Sequence, residues 1–176
     1  MNEPFFTIGH STRTIEEFTA LLRAGGVGTV VDVRAVPRSR TNPQYNEDAL
    51  PEALAGYRIG HIRIAELGGL RKREREAPPE LNGWWENRSF HNYADHALSD
   101  EFRRGLDRLV ALGRERRVAT MCSEAVWWRC HRRIIADWLI ARGEEVFHLM
   151  GEARVEPATL SPGARIEDGR ITYPAG

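Results

Sequence analysis

The run Thr29-Val30-Val31-Asp32-Val33 constrains this chain more than any other segment. All but one of its residues are β-branched, and Gly and Pro punctuate both sides, so it predicts a central, buried strand. What precedes it has the same clarity. Thr14-Ile15-Glu16-Glu17 matches a capping box, in which the Thr and Glu side chains satisfy two orphan helix amides reciprocally. Ile15, Phe18, Leu21 and Leu22 repeat at helical spacing, and Gly25-Gly26 supplies the stop. Phe5 to Ile8 reads as a short buried strand before that helix.

The alternation continues. Arg34 to Asn46, with Pro37 and Pro43, reads as a loop. Glu47 to Leu54 reads as a weak helix, because Pro51 sits awkwardly inside it. Arg58 to Ile64 alternates as a strand. Residues 65–89 are irregular, with Gly68-Gly69, a charge run from Arg71 to Glu76 and the pair Trp84-Trp85. The charge run alternates in sign and reads as a solvated segment. The tryptophan pairs, Trp84-Trp85 and Trp127-Trp128, read first as core or interface material. Phe90 to Leu98 predicts a short helix, and Ser99 caps the next one, whose stripe is Phe102, Leu106, Leu109 and Val110. Arg117 to Met121 predicts a strand with Cys122 following at once. A helix is expected from about His131 to Arg142, and Val146 to Leu149 is expected to be the last core strand. Glu167-Asp168-Gly169-Arg170 between two isoleucines is a type I′ hairpin signal.

The expected fold is therefore a single α/β domain over 1–176. Its core, about 4–150, is a mostly parallel sheet with helices on both faces, followed by a tail with a hairpin. The length suits one core. The 41% hydrophobic fraction is that of an ordinary globular chain. No apolar run is long enough to span a membrane, no leader pattern opens the chain, and two cysteines make no disulfide framework. A reducing cytoplasm is the expected compartment. The net charge of zero weighs against a generic nucleic-acid coat. Lys72 is the only lysine among the 25 basic residues. A GC-rich genome is the simplest cause. Bidentate binding of phosphate or carboxylate is the functional one.

Open parallel sheets bind ligands beyond the carboxyl ends of their strands. That rule gathers three distant segments onto one edge: His10 and Ser11; Arg34, Arg38, Ser39 and Arg40; and Cys122, Glu124, Arg129, Cys130, His131, Arg132 and Arg133. A thiol between a strand end and a helix N-terminus, among guanidinium groups, is placed to ionise and attack. An inert buried Cys122 is the plain alternative, and Cys130 reads more readily as structural. Asp32 inside an apolar strand needs a partner and reads as a clamp on the loop that follows. Zinc on Cys122, Cys130 and His131 has the wrong spacing for a knuckle, so no metal and no cofactor is assigned.

With Thr7-Ile8-Gly9-His10-Ser11, Asp32-Val33-Arg34 with Pro37 and Ser39, Leu67-Gly68-Gly69, Phe90 with Tyr93, and Cys122-Ser123-Glu124 with Cys130-His131-Arg132, the chain resembles the domain-of-unknown-function 488 family. That resemblance implies a compact cytoplasmic α/β domain with its signature residues at strand ends. A looser similarity is to the rhodanese fold, where an Asp-Val-Arg strand precedes a Gly-His-Ile segment and a later strand-end Cys. The loop differs: Glu124 follows Cys122 closely, and a carboxylate repels an anion in such a cradle.

The function expected from these residues is an enzyme acting on an anionic substrate, whether nucleotide, nucleic-acid component or sulfur-bearing small molecule. Cys122 would be its nucleophile, and His10 or His131 would move protons. Glu124 would act as general base should Cys122 be inert. Ser11, Arg34, Ser39, Arg129 and Arg132 would hold the anion. The competing expectations are a non-catalytic nucleic-acid-binding accessory and a zinc-stabilised structural module. Nothing in the sequence points to a membrane partner or sets the oligomeric state.

Overall fold

The computed structural model describes residues 2–73 and 77–175. Six strands form one sheet: β1 (Phe5–Gly9), β2 (Thr29–Asp32), β3 (Gly60–Arg63), β4 (Val118–Cys122), β5 (Val146–Met150) and β6 (Arg154–Pro157), in the order β3-β2-β4-β1-β5-β6. Every pairing is parallel except β5 with β6. A separate hairpin, β7 (Arg165–Glu167) and β8 (Arg170–Thr172), closes the chain, and both of its turn residues, Asp168 and Gly169, have positive φ as a type I′ turn requires.

The pleat sends alternate residues into two cores. Val30, Phe6, Ile8, Ala119 and Met121 pack with α1 (Ile15–Ala24) and α2 (Leu50–Ala55). Val31, Val33, Phe5 and Val118 pack with α3 (Arg88–His96), α4 (Asp100–Glu115) and α5 (Arg132–Ala141). Both faces are thus covered, and the expected mostly parallel α/β architecture with its C-terminal hairpin is the one observed. The capping box on α1 is formed in both directions.

Several boundaries differ from the sequence expectation. Pro51 lies in the first turn of α2, which begins only at Leu50; a missing amide costs nothing there. Val146–Met150 is not the last strand of the sheet, because β6 adds antiparallel to its edge. Cys122 belongs to β4 itself, opposite Gly9 of β1. The charge run from Arg71 lies partly outside the described residues. Arg71 is not merely solvated: it donates to the Ala65 and Gly68 carbonyls and pairs with Glu101. Trp84 and Trp85 are core material packed with Tyr173, as expected.

Candidate active site

The carboxyl ends of β1, β2 and β4 converge because backbone pairing continues one step past them. The His10 amide donates to Cys122 O at 2.9 Å, Ser11 to Ser123 O at 3.0 Å and Val33 to Met121 O at 3.0 Å. Beyond them opens a cleft of about 520 Å³. His10, Arg34, Arg38, Ser39, Cys122, Glu124, Arg129, Cys130 and His131 all line it. Phe90 and Tyr93 of α3 form its apolar wall. Of the expected site residues, Ser11 and Arg132 are not in the lining. Ser11 takes positive φ at the turn after β1 and accepts through its carbonyl from His10 Nδ1 at 2.9 Å. Arg132 lies beneath the floor, and Arg40 and Arg133 also lie outside the lining. Arg133 packs its guanidinium over Trp85 and Trp127.

Asp32 and Arg34 form a closed unit. Arg34 Nε and Nη2 meet the two Asp32 carboxylate oxygens at 2.9 and 2.7 Å, and the Arg34 amide donates to the same group at 3.0 Å. Burial alone would raise the Asp32 carboxyl; His61 and the Arg34 contacts reverse this and bring it down to about 2. Asp32 is the loop clamp expected of it. Arg34 is consequently already neutralised, and only its Nη1 faces onward, 3.4 Å from His10 Nε2. Since the Ser11 carbonyl can only accept, His10 carries its proton on Nδ1 and turns its lone pair to Arg34. The ring is stacked on Tyr45 at 4.2 Å, and burial, with help from Arg34, holds its pKa below the ordinary histidine value.

The sulfur side is organised by Arg132, whose whole side chain is buried. Its Nη1 donates to Cys122 Sγ at 2.8 Å and to Glu124 O at 2.7 Å, its Nη2 to Ala125 O at 3.4 Å and its Nε to Thr7 Oγ1 at 3.1 Å. Because Nε occupies the Thr7 oxygen as donor, the hydroxyl proton points to His148 Nδ1 at 2.6 Å. His148 is stacked flat on Trp127, and burial and the nearby guanidiniums hold it neutral, with its pKa lowered to about 3. Among the described residues no carboxylate pairs with Arg132.

The two thiols lie near enough for each to shift the pKa of the other, and the Cys122 thiol donates to Glu124 O at 3.7 Å. Cys130 Sγ also accepts the Arg132 amide at the start of α5, at 3.4 Å, and lies 3.6 Å from His131 Nδ1. His131 Nε2 meets the Val33 carbonyl at 2.8 Å, so Nε2 carries the proton and Nδ1 is the free acceptor toward sulfur. Burial keeps His131 neutral. Burial pushes the Cys122 thiol well up. Burial acts on Cys130 in the same sense, but the neighbouring Cys122 thiol, the Arg132 charge and the Arg132 amide outweigh it and bring that thiol down. The lowered thiol is thus Cys130, which the sequence had suggested as structural.

Two glycines make room for this arrangement. A Cβ on Gly9 would fall 1.6 Å from Glu124 O and 2.8 Å from Arg132 Nη1, and one on Gly69 would fall 2.8 Å from His131 Nδ1. Sequence reasoning missed His148 and gave Thr7 no role beyond its place in the first motif, although a hydroxyl and an imidazole inside otherwise apolar strands are the kind of signal that marks a buried network. Among the described residues no group of three or more His, Cys, Asp or Glu is arranged to hold a metal ion. None of the described helices is long and apolar enough to cross a membrane.

Fold and site together define a parallel α/β protein with a thiol pair and a buried guanidinium at the strand ends. The chain belongs to the family described as Domain of unknown function DUF488, which it matches over residues 14–139. The match takes in Asp32, Arg34, Cys122, Cys130 and His131 and begins after His10. No curated protein and no solved structure matches the chain, so the likeness to the rhodanese fold rests on residue order alone.

Proposed function

We propose that this protein is an enzyme that attacks an anionic substrate with a thiolate shared by Cys122 and Cys130. The observation that carries the reading is Arg132. A guanidinium does not lose its proton in a protein, and an uncompensated buried charge is costly. Arg132 is fully buried, and among the described residues the only hydrogen-bond partner of its guanidinium able to carry negative charge is the Cys122 sulfur, while its backbone amide meets the Cys130 sulfur. One negative charge on the sulfur pair satisfies it.

Substrate binding falls to the rim. Arg38 and Arg129 are exposed and unpaired among the described residues, and Ser39 and Ser123 lie beside them. These groups suit a carboxylate or phosphate, while Phe90 and Tyr93 suit an apolar portion. Arg34 and His10 act as positioning residues, since each already satisfies the other. Glu124 is exposed and disfavours anions that bind too close to its side.

Alkylation by iodoacetamide across pH tests this in Cys122→Ser and Cys130→Ser variants, each retaining one thiol. The variant that keeps Cys130 is expected to react with a midpoint below about 8.5, the free-thiol value. A midpoint above that value in both variants and in the parent protein removes the thiolate and the proposal with it.

A further inference from the structure

The chain has two cysteines, and the fold delivers both to one spot from different elements, Cys122 from the end of β4 and Cys130 from the turn before α5. Arg132 holds both, Cys122 through its guanidinium and Cys130 through its backbone amide, and both line the same cleft. A single nucleophile needs no second thiol held by the same residue. A pair that exchanges a disulfide does.

We infer that Cys130 and Cys122 are the attacking and resolving thiols of a thiol–disulfide exchange with a small disulfide whose halves carry carboxylates. This rests on the thiolate reading given above and assigns its reaction. In the first step Cys130 sulfur bonds to one sulfur of the substrate, the substrate S–S bond breaks, and one half leaves as a thiolate that takes a proton. Cys130 is now neutral in a mixed disulfide, and Arg132 has lost its counter-charge. Its Nη1 already lies 2.8 Å from Cys122 Sγ, so ionisation of Cys122 restores the balance. Cys122 then bonds to Cys130 sulfur, the mixed disulfide breaks, and the second half leaves as thiol. Two electrons pass from the protein pair to the substrate together with the one proton the pair holds; solvent supplies the second proton, and the substrate departs as two thiols.

The same guanidinium sets the direction of the equilibrium. The internal disulfide carries no charge and leaves Arg132 uncompensated, whereas the reduced thiolate–thiol pair does not. A reduced form stabilised in this way makes the disulfide oxidising. Arg38 and Arg129, exposed in the cleft and unpaired among the described residues, supply the carboxylate recognition.

Glutathione and its disulfide are suitable probes, with acid quench, alkylation and intact-mass readout on the full chain. The parent protein is expected to pass to an internal disulfide, two hydrogens lighter, with half-conversion only in excess glutathione disulfide. Cys122→Ser is expected to stop at a glutathione adduct on Cys130, and Cys130→Ser to react at least about tenfold more slowly than Cys122→Ser. A parent protein that accumulates the adduct and never the internal disulfide overturns the exchange while leaving the thiolate reading intact. Two thiols that resist both glutathione disulfide and iodoacetamide below pH 8.5 overturn both. The parent's own mass decides the matter even if a variant fails to fold.

Discussion

At the residue scale the molecule turns on how buried charges are matched. Asp32 is matched by Arg34, and its carboxyl is held at about 2 against an ordinary 3.8. A depressed carboxyl stabilises the fold above the unfolded value and loses that contribution as pH falls through the folded one. Asp32 therefore contributes about 2 kcal/mol at neutral pH, lost between roughly pH 4 and pH 2. Asp32→Asn is expected to be less stable at pH 7 and to lack that part of the acid transition in urea titrations. Arg132 gives a sharper test. Replacing both Cys122 and Cys130 by Ala strands its charge and is expected to cost about 3–5 kcal/mol at pH 7.5. That cost should shrink in an Arg132→Met background. Arg132→Met alone orphans the Glu124 and Ala125 carbonyls and should cost about 2–4 kcal/mol, with the alkylation midpoint rising. If the double cysteine variant loses no more than two ordinary small cavities would, sulfur does not carry the counter-charge.

At the scale of elements, close approach of backbones decides the site. The end of β1 runs against the turn after β4 so tightly that Gly9 has no space for a methyl group. Gly9→Ala is expected to be destabilised by about 1–3 kcal/mol, as overpacked sites are, and to displace the Arg132 guanidinium from the Cys122 sulfur and Glu124 O. Denaturant melts and thiol reactivity would report the two effects separately. Element types were mostly readable in the sequence because the patterns were strong: the β-branched run of β2, the capping box of α1, the apolar stripe of α4. The edge strand β6 was not, because Arg154-Val155-Glu156-Pro157 is short, exposed on most of its length and ends in proline. Its pairing with β5 is decided by the position of that strand's edge, which no local pattern reports. The expected helix from Glu47 starts three residues ahead of α2, because Pro51 looks like an interior breaker in the sequence and is a first-turn residue in the fold.

At the scale of the whole molecule, the convergence of His10, Arg34, Cys122, Cys130 and His131 was legible from strand order alone, since parallel sheets put their loops on one edge. The partners were not. That Arg34 is consumed by Asp32, and that Arg132 lies under the floor instead of in the cleft, depends on side-chain directions set by packing across β1, β2 and β4. Three buried or partly buried imidazoles, His10, His131 and His148, are held below their ordinary value by burial. The unfolded chain protonates them near pH 6.5, while the folded protein keeps them neutral. Stability is then full above that pH and falls as pH drops below it, by up to about 1.4 kcal/mol per pH unit for each group. Melting temperatures at pH 7.5 and pH 5 are expected to differ accordingly, and equal values would show that the imidazoles are protonated in place.

The last residues of the chain lie outside the stretch shared with the family, yet they close the larger core. Ile171 and Tyr173 are fully buried there, the Tyr173 hydroxyl donates to Asp137 of α5 at 2.7 Å, and its amide donates to Asn82 at 2.9 Å. Asp137 also accepts the Ser161 amide. The helix that follows Cys130 is thus strapped from behind by the carboxyl-terminal segment. Clipping the polypeptide ahead of Ser161 would uncover Trp84, Trp85 and Trp138, raise dye binding to exposed hydrocarbon, and let the sulfur-bearing turn drift from a distance.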